Sequence, residues 1–197
     1  MRSRFRLSIE GSFVSEIDPE ANGNASLVYS TYLNGQSVSS DRIAAITSDA
    51  AGDAVVVGLA TSADFPVTSN AFQNAIAAGS TVSGFITVVN PTASGAAQLQ
   101  YSTFLDSGNP LAVKVDGNDD LFVGGSQATI GFPVTPNAFQ PVCLLGIYNC
   151  PNGFIVELNP TASPANQLVY GTYLGGTTPI GASAAVTGLG LDATGKI

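Results

Sequence analysis

The chain has 197 residues, of which 45% are apolar, 10% are charged and 22 are glycines, and its net charge is −8. A chain of this length can bury a core, and the shortage of charge beside many turn residues is typical of extracytoplasmic all-β proteins. An acidic chain lacks the basic stripe that neutralises phosphates, so we expect no nucleic-acid partner. Because histidine is absent, Ser-His-Asp and Cys-His catalysis and His-ligated metal sites are excluded.

The first fourteen residues contain three arginines, but residues 5–14 are interrupted by charged and hydroxyl side chains. They therefore supply no apolar core for a signal peptide. Nowhere does the sequence approach the roughly 20 apolar residues of a membrane span, so we predict no membrane insertion. Export, if it occurs, is expected to depend on sequence outside this chain.

One sequence unit is repeated three times at a period of about 70 residues, which is the mark of a repeat architecture. The first part of the unit reads SFVSEIDP (12–19), GFITVVNPTAS (84–94) and GFIVELNPTAS (153–163). The second part reads LVYSTYLNG (27–35), LQYSTFLDS (99–107) and LVYGTYLGG (168–176).

A third part pairs an apolar run with a turn and a second run, beginning at residues 43, 111 and 188, and a closing part reads DFPVTSNAFQ (64–73) and GFPVTPNAFQ (131–140). The third copy has no closing part because the sequence stops at Ile197. We therefore expect this chain to be a section of a longer protein.

Each unit predicts four short strands, FIVELN, LVYGTYL, AVKVD and LFVGGS in their best copies, because these runs are rich in Val, Ile, Tyr and Phe and are separated by turn residues. Alternation of Leu99, Tyr101, Thr103 and Leu105 predicts that one face of that strand packs on a neighbouring unit. No stretch has a helical period, so little helix is expected. The pattern Asp-x-x-Gly at residues 49–52 and 192–195 predicts tight hairpins with a left-handed glycine, which Asp119 replaces in the middle copy.

The closing part is predicted to connect successive units. Its prolines fix φ, and its four aromatics are predicted to fill the space between units, with ligand stacking as the alternative. The residues concerned are Pro66, Pro133, Phe65, Phe72, Phe132 and Phe139.

Taken together, the YSTYL, D-x-x-G and DFPVTPNAFQ blocks resemble the bacterial SBBP repeat, the "seven-bladed β-propeller" repeat family. The resemblance implies four-stranded antiparallel blades around a channel, in large exported or surface-attached proteins, and supplies no common catalytic residues. The fold class expected is thus all-β, a partial β-propeller of about three blades. We expect the chain to be divided into a lead-in at 1–11, which could hold a strand of a preceding blade, and three blades. The blades are expected at 12–83, 84–152 and 153–197, and the last one is truncated. Because a ring needs typically 4–8 blades, we expect open blade edges and self-association through them.

Cys143 and Cys150 are the two cysteines of the chain, and they frame the short loop CLLGIYNC. Their pairing would stabilise the fold by about 2–3 kcal/mol in the chain-entropy model. Free buried thiols are the alternative. A metal site is disfavoured, because two thiolates do not complete a tetrahedral shell.

With no catalytic motif, we expect a non-catalytic extracytoplasmic scaffold for protein or glycan binding, at the cell surface or secreted, with no catalytic residue and no cofactor. The loops that vary between copies, 74–83 and 141–152, are where a ligand is expected. The alternative is part of a propeller glycan hydrolase or lyase that uses carboxylates. Against it, Glu16 and Glu157 share a repeat position that holds Val88 in the middle copy.

A weak calcium candidate is the DGNDD turn, whose Asp116, Asn118 and Asp120 imitate the start of an EF-hand loop. Leu121 stands where that loop needs glycine and Gln127 where it needs a bidentate glutamate. A solvated hairpin turn is the alternative.

Overall fold

The computed structural model describes residues 11–36, 40–126, 131–143, 152–175 and 184–197. These residues form an all-β structure in which the longest helices are single 3₁₀ turns of three or four residues. The strands are β1 (Phe13–Ile17), β2 (Leu27–Tyr32), β3 (Arg42–Ser48), β4 (Ala54–Ala60), β5 (Ser83–Val89), β6 (Leu99–Leu105), β7 (Asn109–Val115), β8 (Leu121–Ser126), β9 (Gly153–Leu158) and β10 (Leu168–Leu174). Within the described ranges no helix is long and apolar enough to cross a bilayer.

The strands form three antiparallel sheets. β1 and β2 form a two-stranded sheet, β3 to β6 form a four-stranded sheet that we call sheet 1, and β7 to β10 form a second that we call sheet 2. In every sheet the spatial order of the strands is their order along the chain. Such meanders need only short connections, which the many turn residues supply. The prediction of antiparallel strands with little helix is confirmed.

The boundaries of the four-stranded sheets do not coincide with the boundaries of the sequence units. The unit boundaries at 83/84 and 152/153 fall beside the start of β5 and β9, which are the third strands of their sheets. Each sheet thus joins the last two strands of one unit to the first two of the next. A periodic sequence can be divided at any point, so only the pairing of β4 with β5 and of β8 with β9 fixes the grouping.

Two hydrophobic cores hold the sheets together. The larger lies between sheets 1 and 2 and includes Val57, Ile86, Val123 and Val156. The smaller lies between the two-stranded sheet and the opposite face of sheet 1. Sheet 1 is therefore buried on both faces, which explains why every residue of β5 is buried.

The burial of side chains on both faces of strand β6 follows from this arrangement. Tyr101 and Leu105 enter the core between the sheets, as the alternation predicted, and Phe104 on the other face enters the smaller core. Sequence alternation identified the first face. Phe104 on the second face is buried as well, because sheet 1 is covered on both sides.

An aromatic cluster occurs at the same place in both four-stranded sheets. The ring of Phe65 lies 4.4 Å from that of Phe85 and 6.1 Å from that of Phe104, measured between centroids. In sheet 2, Phe132 lies 4.3 Å from Phe154 and 5.9 Å from Tyr173. These are favourable distances for tilted rings, worth about 0.5–1.5 kcal/mol per pair beyond burial.

The core role predicted for the closing-part aromatics is confirmed for Phe65 and Phe132, which are buried, and Phe72 packs partly against the larger core. Phe139 is 77% exposed, so the described residues do not fill the space around it and its core role stays a prediction. Phe139 occupies the same repeat position as Phe72. Sheet 2 packs on Phe72, whereas among the described residues no sheet packs on Phe139 in this way.

The closing part lies within one sheet and not between two sheets. It joins the second and third strands of one sheet and runs along the edge of the fourth strand, where Thr68 N–H donates to the Ser102 carbonyl at 3.0 Å and Phe104 N–H to the Gln73 carbonyl at 3.0 Å. In sheet 2, the 135–140 segment bonds to β10 in the same way. The closing part therefore connects one sequence unit to the next, as predicted, but both units contribute strands to the same sheet. On its way it covers the sheet edge, which would otherwise present unpaired backbone groups.

The last described segment, 184–197, lies over the outer face of sheet 2. Val186 N–H donates to the Gly125 carbonyl at 3.1 Å, and Gly124 leaves the space that the Val186 side chain enters. This segment forms its predicted Asp192–Gly195 turn but no strand.

The three hairpin turns have the predicted backbone conformation. The fourth turn residue has positive φ in each copy, 89° at Gly52, 63° at Asp119 and 78° at Gly195. In the first copy, the Asp49 Oδ1 accepts the N–H groups of Ala51 and Asp53, both at 2.9 Å. An aspartate at the start of the turn stabilises it by this bonding to the following backbone.

Replacing Asp119 by glycine is expected to stabilise the protein by about 0.5–1 kcal/mol, because glycine adopts the left-handed conformation without steric cost. Urea unfolding measures the change. The control is Gly52→Ala, which introduces a side chain at the equivalent position and is expected to destabilise by about 1 kcal/mol. Equal stability of D119G and the parent would show that the Asp119 backbone carries no strain.

Candidate functional site

The variable loop 74–83 forms one wall of a cavity of about 580 Å³. The opposite wall is the short connection from β6 to β7, and the two connections meet because both leave the same end of the antiparallel sheet 1. The lining includes Leu59, Ala77, Ala78, Val82, Asp106 and Asn109. Apolar groups predominate in it, with one carboxylate, and this composition is typical of a small ligand site.

Among the described residues that line this cavity, Asp106 is the one with an ionisable side chain. Its Oδ1 is buried and has no hydrogen-bond partner among the described residues. Its backbone N–H donates to Gln73 Oε1 at 2.7 Å, which holds the residue in place. A buried carboxylate oxygen without a donor costs free energy, and Asp106 pays this cost in the wall of the cavity.

Asp106 is peculiar to the middle copy of the repeat. The first copy has Asn34, whose amide donates to the Gly35 carbonyl at 2.6 Å, and the third has Gly175. The next residue, Ser107, has a φ of 61°, in the left-handed region that non-glycine residues rarely adopt. Strained backbone of this kind is concentrated at ligand-binding segments.

The other variable loop, 141–152, is described only at residues 141–143 and 152. Cys143 is disulfide-bonded. Its predicted partner Cys150 lies outside the described residues, so the pairing with it stays a prediction. Cys143 packs against the core between the sheets, where a covalent link would restrain the loop.

The calcium candidate has the geometry of a hairpin turn. Asp116 Oδ1 accepts the N–H of Asn118 at 2.9 Å and of Asp120 at 3.0 Å, and Asn118 donates its amide to Asp116 Oδ2 at 3.2 Å. In the part of the chain that the structure describes, no group of three or more His, Cys, Asp or Glu is arranged to hold a metal ion. Calcium at this turn therefore stays a hypothesis, with two of its ligand residues already bonded to each other.

Carboxylates gather where the turns of sheets 1 and 2 meet. Burial raises the pKa of Asp53, and the charges of Asp49 and Asp119 raise it further. Burial likewise raises the pKa of Asp120 and of Glu157, and neighbouring aspartates add to both shifts. Each of these groups is thus harder to ionise in the folded state than in a free chain.

Asp120→Asn is expected to be more stable than the parent at pH 7, because a raised folded pKa means that ionisation of Asp120 weakens the fold. Well below about pH 4 the carboxyl is protonated in folded and unfolded chains alike, so the advantage should vanish. Thermal unfolding from pH 3 to 8 measures it. Asp192→Asn is the control, and we expect it to be less stable than the parent at pH 7. Hydrogen bonds from Lys196 N–H and Thr194 lower the pKa of Asp192, so its ionised form stabilises the fold. An advantage of D120N that persists at pH 3 would contradict this account.

A buried carboxylate, that of Asp41, hydrogen-bonds to two strand connections at the same end of sheet 1 as the cavity. Asp41, 4% exposed, accepts the N–H of Gly35 at 2.8 Å, of Thr61 at 2.7 Å and of Ser62 at 3.1 Å, and the Ser62 hydroxyl. It therefore joins the β2–β3 connection to the beginning of the β4–β5 connection, which later lines the cavity.

A second buried polar link joins the sheets. Tyr101 donates its hydroxyl to Gln167 Oε1 at 2.7 Å, and Gln167 Nε2 donates to the Asn70 carbonyl at 2.8 Å. Burial raises the pKa of Tyr101 to about 12, so the phenol stays a donor. Tyr29 and Gln98 repeat the link one unit earlier at 3.3 Å.

Sequence reasoning did not identify Asp41, Asp106 or Gln167. A usable signal existed for Asp106, because it departs from the residues at the same repeat position. Of the carboxylates weighed for catalysis, Glu16 is exposed on β1, while Glu157 is partly buried on β9.

Comparison with known protein families and with characterised proteins finds no match to this chain. Functional interpretation therefore depends on the repeat, the sheets and the cavity.

Proposed function

We propose that the chain is a section of a β-propeller built from SBBP-type repeats, with sheets 1 and 2 as consecutive blades. In support, the two sheets have the same strand order, carry the same sequence unit and pack face to face. Propeller blades are four-stranded antiparallel sheets packed in this manner around a channel.

We infer further that this section is a non-catalytic scaffold outside the cytoplasm, whose loops bind a protein or a glycan. The observation that carries this inference is the cavity formed where the loops depart from the repeat. The disulfide at Cys143 agrees with an oxidising compartment. Binding sites on repeat scaffolds are typically built from such loops.

The test of the scaffold function is to screen the purified chain on printed glycans and immobilised basic and acidic peptides, alongside turnover assays on polysaccharides. We expect saturable binding to one ligand class without turnover. Turnover that Glu157→Gln abolishes would instead favour a glycan hydrolase or lyase, for which the raised pKa of Glu157 is the one supporting observation.

We also propose that the section associates with itself through its open ends. Phe13 is 63% exposed, Tyr32 79% and Phe139 77%, although their repeat equivalents are wholly or partly buried. Light scattering coupled to size exclusion should give a defined dimer or trimer if separate chains close a ring, or a polydisperse mass if they do not. A monomer at all concentrations would contradict the proposal.

A further inference from the structure

The cavity beside Asp106 has two parts that differ in chemistry. Leu59, Ala77, Ala78 and Val82 supply apolar surface, while Asp106 supplies one carboxylate with a buried oxygen that accepts no hydrogen bond among the described residues. Such a cavity suits a ligand with an apolar stem and a donor at its tip.

The donor that compensates a buried carboxylate best is a cation, because a charge-assisted hydrogen bond is about twice as strong as a neutral one. Lysine and arginine side chains combine such a head with an aliphatic stem that packs on apolar surface. Neither residue type occurs among the described residues of the cavity lining.

Two other ligand classes fit less well. A metal ion needs several oxygen ligands, and the lining offers a single carboxylate. A sugar ring is commonly held against an aromatic side chain, and the described part of the lining contains no aromatic residue.

The charge of the whole chain acts in the same direction. Its net charge is −8 with six basic residues, so a basic partner is attracted as it approaches and an acidic one is repelled. This attraction is long-ranged only at low ionic strength.

We propose that the cavity formed by residues 77–82 and 106–109 binds an exposed lysine or arginine side chain of a protein partner, with Asp106 as the residue that recognises the charged head. This inference rests on the proposed scaffold function and names the chemistry of its partner.

The test uses the full chain titrated with N-acetyl-lysine methylamide and N-acetyl-arginine methylamide, followed by NMR chemical shifts. The neutral analogue N-acetyl-norleucine methylamide is the matched ligand control. We expect shifts confined to the cavity residues and at least about tenfold weaker binding of the norleucine compound.

Asp106→Asn is expected to reduce lysine binding by at least about tenfold while leaving the melting temperature unchanged or raised, because the carboxylate has no partner to lose. Asp18→Asn is the control variant: Asp18 lies in an exposed turn where the other two copies have Asn90 and Asn159, and it should bind lysine like the parent.

Equal binding of the lysine and norleucine compounds, or unchanged binding by D106N, would overturn the inference. Binding of a glycan at the same cavity residues without lysine binding would also overturn it, but would leave the scaffold function standing. Turnover of a polysaccharide by the parent chain, lost in Glu157→Gln, would refute the scaffold function whatever the lysine titration gives.

Discussion

Replacing Phe85 by alanine is expected to destabilise the protein by about 3–5 kcal/mol, which is the cost of deleting a fully buried aromatic ring. Phe85 has no exposed surface, and its ring contacts that of Phe65 at 4.4 Å. The substitution leaves a cavity between the two-stranded sheet and sheet 1, and it removes the pairing across the strands with Phe104. A loss of this size is a large part of the stability of a small domain.

Urea unfolding followed by far-ultraviolet circular dichroism measures the effect. The matched control is Phe13→Ala, because Phe13 occupies the same position of the repeat in strand β1 but is 63% exposed. We expect a change within about 0.5–1 kcal/mol for this variant. Similar losses for both variants would mean that the first repeat is covered as completely as the second, contrary to the structure.

Asp41→Asn is expected to destabilise by about 3 kcal/mol, since hydrogen bonds to a charged group are worth about 1.5–3 kcal/mol and an amide cannot replace both oxygens. The carboxylate accepts bonds from the N–H groups of Gly35, Thr61 and Ser62. An asparagine would turn an NH₂ group toward at least one of these donors. The two connections that meet at Asp41 should therefore loosen together.

The measurement is thermal unfolding together with amide hydrogen exchange of Thr61 and Ser62, which should exchange faster in the variant. Asp18→Asn is a suitable control here as well, because the exposed Asp18 carboxylate accepts a bond only from Glu20 N–H among those described, at 2.8 Å. An intact D41N protein with protected Thr61 and Ser62 amides would show that the Asp41 charge is not what fastens these connections.

Local patterns determined most of the secondary structure. All four runs of the first two repeat units, and the first two runs of the third, became strands where β-branched and aromatic residues are concentrated, because a pleated strand packs such side chains well. The hairpin turns were equally predictable, including the left-handed backbone at Asp119, since that conformation depends on the residue itself and its immediate neighbours.

Long-range contacts decided the remaining features. The grouping of β3 to β6 into one sheet, the path of the closing part along β6 and the exposure of Phe139 depend on which strand edges and faces meet. Likewise, Asp41 and Asp106 look like ordinary loop aspartates in the sequence. Only the fold surrounds one with donors and leaves the other facing a cavity. The sequence by itself thus determined the strands, the turns and the repeat, because their energetics are local. The grouping of strands into sheets, the covering of the sheet edges and the candidate site required the tertiary structure, because they are set by residues distant along the chain.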